Sequence, residues 1–189
     1  VILIPARLQM SGLTPKDSLS VYGVFTGMAL PLILFPATLT NSAATMLLPS
    51  ITQLQVLGYQ KQIQYVIGRI FRYCLLLGGF CMVIFLFLGE FLGNFLFHSQ
   101  TAGIYIHTMS YICPFLYLNT TLSSVLNGLG KPGFCLIHSV ISVCIRIFFV
   151  LFVIPVLGIR GYLYGILCSE LVLCILHSFR VLQSHPKIF

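Results

Sequence analysis

Apolar residues run through this chain in five long blocks, separated by short polar or glycine–proline breaks. Residues 18–60 contain no acidic or basic side chain. Within that stretch residues 21–49 predict a first membrane helix, because about 20 apolar residues suffice to cross about 30 Å of hydrocarbon. Pro31 and Pro36 lie inside it. In a bilayer the carbonyls they leave unbonded can be satisfied by neighbouring helices and hydroxyls, so a kinked helix is expected rather than a broken one. A second helix is expected over residues 62–88, with Arg69 and Arg72 in its first turns and Glu90 closing it. The third covers residues 101–128, with Pro114 near its middle, the fourth 133–156 and the fifth 160–182. Gly130-Lys131-Pro132-Gly133 and Gly158-Ile159-Arg160-Gly161 read as short turns between antiparallel neighbours.

Composition places these blocks in lipid. The 189 residues are 58% hydrophobic and 7% charged, with a mean hydropathy of +1.03. Soluble domains carry roughly 25% charged residues, so this chain cannot cover a water-facing surface. A soluble enzyme, a disordered tail and a nucleic-acid partner are excluded together. The fold class is an all-α integral membrane protein with about five transmembrane helices. Residues 1–18 are expected to form an extracytoplasmic loop following a missing helix, 19–183 the membrane bundle and 184–189 a cytoplasmic tail.

The net charge of +7 is scattered rather than gathered in a patch. Five crossings divide the cations between two sides. One side receives Lys61, Arg69, Arg72, Lys131, Arg180 and Lys187, and the other receives Arg7, Lys16 and Arg160. The richer side is expected in the cytoplasm, together with the C-terminus.

Arg146 and Glu170 fall inside expected spans, where each costs between roughly 2.5 and 10 kcal/mol. Arg146 lies 12 residues before Gly158, about 18 Å of helix, and Glu170 lies 10 residues after Arg160, about 15 Å. They should therefore meet at one depth. A structural ion pair is one reading. The other is a cavity in which Arg146 contacts an anionic substrate and Glu170 holds it.

Two polar stripes accompany them: Thr38, Asn41, Ser42 and Thr45 in the first helix, and Asn119, Ser123 and Asn127 in the third, beside Thr120 and Ser124. Such stripes either fasten helices together or line a wet cavity. Gly23 with Gly27, and Gly161 with Gly165, form G-x-x-x-G pairs that permit close helix contact. The seven cysteines sit in apolar stretches and read as small buried hydrophobes. The five histidines show no metal-ligand spacing and read as interfacial or packed. With no phosphate loop, nucleophile elbow or carboxylate pair, no enzyme activity, cofactor or metal is expected.

A recognisable string begins in the first helix: Tyr22-Gly23, Gly27-Met28-Ala29-Leu30-Pro31, Phe35-Pro36 and Leu48-Pro49-Ser50. With Leu126-Asn127-Gly128-Leu129-Gly130-Lys131 and Gly158-Ile159-Arg160-Gly161, it resembles the stage V sporulation protein B group. These are polysaccharide-biosynthesis membrane proteins of the multidrug/oligosaccharidyl-lipid/polysaccharide exporter superfamily. The resemblance implies part of the second bundle of a two-bundle flippase in a bacterial plasma membrane, moving a lipid-linked sugar phosphate for cell-wall or polysaccharide synthesis by alternating access. It implies a partner in the bilayer plane, either a missing N-terminal bundle or a second copy. Pro31, Pro36 and Pro114 are then hinge candidates. Arg146, Glu170, Asn41, Thr38, Thr45, Asn119, Ser123 and Asn127 are the cavity candidates. The alternatives are a multidrug or cation exporter of the same superfamily, a non-transporting scaffold and an inactive truncated product.

Overall fold

The computed structural model describes residues 3–184. The chain is helical almost throughout: α1 (Leu3–Met10), α2 (Pro15–Val24), α3 (Leu30–Leu34), α4 (Ala37–Val56), α5 (Gln60–Phe97), α6 (Gln100–Met109), α7 (Cys113–Gly128), α8 (Pro132–Phe148), α9 (Ile154–Leu157) and α10 (Ile159–Ser184). The protein is an all-α membrane protein. Among the described residues, four stretches are long and apolar enough to cross a bilayer: Pro15–Leu34, Gln60–Phe97, Pro132–Leu157 and Ile159–Ser184.

The third expected crossing is divided instead, with a 3-10 turn at Ser110–Ile112 between α6 and α7. The first is divided at Phe35–Pro36, between α3 and α4. Residues 3–18, expected as a loop, hold α1 and the start of α2. Thr14 caps α2 by accepting from the Asp17 N–H at 3.1 Å, and Pro15 opens it. Both features favour a helix start. The second helix does not close at Glu90; it runs on to Phe97 and stops at His98, whose φ of 48° is left-handed. Arg69 and Arg72 accordingly sit in its third and fourth turns. Of the tail assigned to residues 184–189, Ser184 ends α10, and the rest, with Lys187 of the cation count, lies outside the described residues.

Three prolines each loosen the turn before them. Pro31 follows a π-helical turn at Phe25–Ala29, Pro114 follows Ser110–Ile112, and Pro155 follows a π-helical turn at Phe149–Val153. A proline removes the N–H that would bond the carbonyl four residues back. Those carbonyls belong to Gly27, Ser110 and Leu151, and each lies inside its loosened turn. Pro155 joins the expected points at Pro31 and Pro114. Pro49, by contrast, leaves α4 unbroken.

α7 is the centre of the molecule. It packs against α4, α5, α8 and α10, and most of its side chains are buried. One hydrophobic cluster gathers Phe25, Phe85, Tyr105, Ile112 and Leu163, and another gathers Leu47, Ile51, Ile67, Leu122 and Leu126. The outer faces are apolar as well: Phe80, Phe87, Leu136, Val143 and Phe152 are all exposed. An apolar exterior around a mixed interior is the pattern lipid demands.

Tyr117, fully buried, donates its hydroxyl to the Ile33 carbonyl at 3.0 Å, beside the Phe35–Pro36 break. Tyr117→Phe is expected to cost about 1 kcal/mol, the scale of one interhelical hydrogen bond in a membrane. Reversible unfolding in detergent measures it, and an unchanged stability would show that Ile33 finds another donor.

Candidate functional site: a polar groove between four helices

The charges that the turn arithmetic places at one depth do meet. Arg146 Nη2 lies 2.8 Å from Glu170 Oε1, the one ion pair among the described residues. Arg146 also donates from Nε and Nη2 to Ser169 Oγ at 3.3 and 3.2 Å. Asn119 of α7 completes the set, donating Nδ2 to Glu170 Oε2 at 2.7 Å and to the Glu170 carbonyl at 2.9 Å. Three helices are thus tied at one point. Both bonds use the same amide nitrogen, which fixes the amide's orientation and leaves Asn119 Oδ1 buried without a partner.

Glu170 and Asn119 face a hollow of about 360 Å³, with Asn41, Thr120, Ser123, Ser139 and His177 among its other lining residues. A second hollow of about 410 Å³ adjoins it, lined by Asn41, Thr45, Thr120, Ser123, Ser124 and Asn127 among others. Asn41, Thr120 and Ser123 border both, so the two form one groove along α4 and α7. The groove therefore unites Asn41, Thr45, Asn119, Ser123, Asn127 and Glu170.

Two of the expected cavity residues are not there. Thr38 is exposed, outside both linings, and its hydroxyl donates to the Phe35 carbonyl at 2.7 Å. Arg146 borders neither hollow; its guanidinium is engaged by Glu170 and Ser169. Its side chain is 37% exposed against 14% for Glu170, but of the two it is Glu170 that lines the groove.

The polar stripes do two kinds of work. On α7, Ser124 donates to the Ala44 carbonyl, Thr120 approaches the Thr40 hydroxyl at 3.5 Å, and Thr121 lies 3.1 Å from Cys74 Sγ. These hydroxyls fasten α7 to α4 and α5. Asn119, Ser123 and Asn127, on the neighbouring face, border the groove. Thr120 and Ser124 border the groove as well, and Asn119 also ties α7 to α10, so several residues of this helix both fasten and line.

Helices α8 and α10 carry a ladder that composition hides. Lys131 Nζ donates to Ser184 Oγ at 2.7 Å, Arg180 stacks 3.6 Å above the Phe134 ring, and His138 faces His177 with ring centroids 5.2 Å apart. Ser142 donates to the Ser169 carbonyl at 3.3 Å. His177 is 1% exposed and borders the groove, and neither of its ring nitrogens has a partner. The sequence held a signal for this pair. His138 lies 20 residues before Gly158 and His177 lies 19 after it, the same reckoning that matches Arg146 to Glu170.

The two G-x-x-x-G pairs differ in outcome. A Cβ on Gly161 would stand 2.9 Å from the Val153 carbonyl oxygen, and one on Gly165 would stand 2.6 Å from Phe149 Cβ. At Gly23 and Gly27 nothing lies within 4 Å. A third pair, Gly89 and Gly93, packs against α6 so closely that Gly93 abuts the Gly103 backbone. Of the cysteines, Cys74, Cys81, Cys113 and Cys174 are buried, Cys135 and Cys168 partly so, and Cys144 is exposed.

Comparison with known proteins agrees with the fold and the sequence string. Over 187 residues, 98% of this chain, it is 27% identical to stage V sporulation protein B of Bacillus subtilis (strain 168). The resemblance read from the motifs therefore extends along nearly the whole chain. An uncharacterized membrane protein of Methanocaldococcus jannaschii is 24% identical over 151 residues, 79% of the chain. The chain spans 36% of the length of the first relative and 30% of the second. No family model matches, and no solved structure does. The chain is thus a multi-pass membrane protein similar to stage V sporulation protein B.

Proposed function

We propose that this bundle forms one wall of a transport path for the headgroup of a lipid-linked sugar phosphate. The observation that carries this is the groove itself. Asn41, Thr45, Ser123, Asn127 and Glu170 line a polar hollow inside an apolar bundle. Amides and hydroxyls at that depth are costly when left unbonded, and a headgroup rich in hydroxyls and amides would satisfy them.

In this proposal Glu170, Asn119, Asn41, Thr45, Ser123 and Asn127 contact cargo. Arg146 is a positioning residue that holds Glu170, which in turn orients Asn119. The loosened turns before Pro31 and Pro114, with the break at Pro36, are the bending points for alternating access. A second wall is needed opposite the groove, supplied by further polypeptide or by another copy. The membrane is the bacterial plasma membrane, with the C-terminus in the cytoplasm as the cation count supports.

The groove's one acid is already paired with Arg146 and Asn119, which disfavours the cation-exporter alternative. That chemistry would need an uncompensated acid in the cavity.

Headgroup accessibility in sealed vesicles tests the proposal. With the protein reconstituted beside a fluorescent lipid-linked sugar phosphate, a membrane-impermeant quencher is expected to reach labels that started in the inner leaflet. Asn119→Leu with Asn41→Leu should slow that exchange by about tenfold or more, since 1.4 kcal/mol of lost contact is a factor of ten. An unchanged rate in a folded double variant would remove the groove from the path.

A further inference from the structure

The outer face of α5, on the far side from the groove, carries a cationic cleft of about 320 Å³. It is lined by Tyr65, Arg69, Arg72, Tyr73 and Leu76. The Arg69 guanidinium stands 4.5 Å from the centre of the Tyr65 ring and also donates to the Tyr65 hydroxyl. Arg72 Nε donates to the Gly68 carbonyl at 3.3 Å. Both cations are therefore held in place along one helix, three residues apart. Neither is neutralised by an acid, because the one ion pair among the described residues is Arg146–Glu170. Glu90, the acid on the same helix, lies 18 residues beyond Arg72, about 27 Å away along α5.

Beyond the two arginines, residues 73–89 contain no charge, so Arg69 and Arg72 stand at the edge of a hydrocarbon-length stretch. Leu76, Phe80, Val83 and Phe87 continue the same face at spacings of three and four. They are 66, 64, 53 and 81% exposed. One helix face thus carries two cations at its head and an open apolar stripe below them. Guanidinium pairs match phosphate oxygens, and an apolar stripe at bilayer depth matches an acyl chain.

We infer that this face of α5 binds an anionic, phosphate-bearing membrane lipid, its phosphate between Arg69 and Arg72 and one chain along Leu76, Phe80, Val83 and Phe87. Free phosphate would leave the stripe unused. A second copy in the same orientation would bring only Asp17 and Glu90 as acids outside the Arg146 pair; Asp17 already accepts from the Thr14 hydroxyl, and Glu90 would stand about 27 Å along α5 from Arg72. The site lies outside the groove and does not depend on the transport proposal.

Native mass spectrometry of the protein released from phosphatidylcholine nanodiscs containing tracer phosphatidylglycerol tests the site. Two cations near an anionic headgroup at about 1 kcal/mol each correspond to a preference of roughly 30-fold for phosphatidylglycerol. Arg69→Gln with Arg72→Gln is expected to reduce that preference to about threefold or less. Arg69→Lys with Arg72→Lys should retain most of it, and inorganic phosphate should fail to displace the lipid. Leu76→Asn with Phe80→Asn should weaken retention of both lipids without changing their ratio.

Equal retention of the two lipids by the unsubstituted protein would overturn the site. So would a glutamine variant that keeps its preference, displacement by inorganic phosphate, or a photo-crosslinker at Phe80 that captures a second polypeptide instead of lipid. If the glutamine variant fails to fold, the lysine variant and the phosphate competition still decide.

Discussion

Replacing Glu170 by leucine is expected to destabilise the bundle by about 3 kcal/mol, and adding Arg146→Leu to restore most of that loss. Removing one partner of a buried ion pair costs about 3–5 kcal/mol because the other charge is left uncompensated. Arg146 is partly exposed, at 37%, which holds the value near the lower end. Glu170→Leu also strips Asn119 Nδ2 of a carboxylate acceptor. The double variant removes both charges together, and apolar replacements of a whole pair are often close to neutral. Chemical denaturation in mixed micelles reads all three proteins. If the double variant is no more stable than either single one, the pair is not what couples α8 to α10. The accessibility assay then separates roles: a stable double variant that still transports would make the pair purely structural, whereas loss of transport in a folded protein would place Glu170 on the path.

The second large effect is expected at the crossing of α5 and α6. A Cβ on Gly103 would stand 2.8 Å from Glu90 Cα and 3.2 Å from the Glu90 carbonyl oxygen, and Gly93 lies against Gly103 itself. Backbone faces backbone there, so no side-chain rotation relieves the clash. Gly103→Leu is expected to cost about 3 kcal/mol or more, beyond the usual range for overpacking at a site that can relax. For a chain of this size that is a fall of about 10 °C in melting temperature. Gly27→Ala is the control, because nothing lies within 4 Å of its added methyl. Thermal stability of the two variants, followed by size-exclusion chromatography in detergent, should separate them clearly. Equal melting temperatures would mean that α6 can move away from α5 freely.

The groove is only partly legible in the sequence. Asn41, Thr45, Asn119, Ser123 and Asn127 can be chosen because polar side chains inside an apolar run are conspicuous. Glu170 can be matched to Arg146 because a short turn makes depth countable from either side. Thr38 and Arg146 are misplaced for one reason: helical spacing gives the face of a residue but not what that face meets. The Phe35–Pro36 break leaves Thr38 exposed near the start of α4, and Ser169 with Glu170 draws the Arg146 guanidinium away from the hollow. His138 and His177 escape pairing although the same counting would join them, since an uncharged ring in an apolar run does not stand out.

Chain chemistry alone determined the solvent. With 7% charged residues and long uncharged runs, this polypeptide has to live in lipid as helices, because hydrocarbon offers no partner for an unbonded peptide group. The same local chemistry marked the loosened turns before Pro31 and Pro114, since a proline removes the N–H that would bond the carbonyl four residues back, although Pro49 leaves α4 unbroken. Neighbours decided everything else. Whether Ser124 fastens α7 to α4, whether Gly23 or Gly93 touches another backbone, and which end of the Asn119 amide meets Glu170 all depend on which helix lies opposite. Such pairings arise between residues dozens of positions apart, and only the packed bundle brings them within a few ångströms.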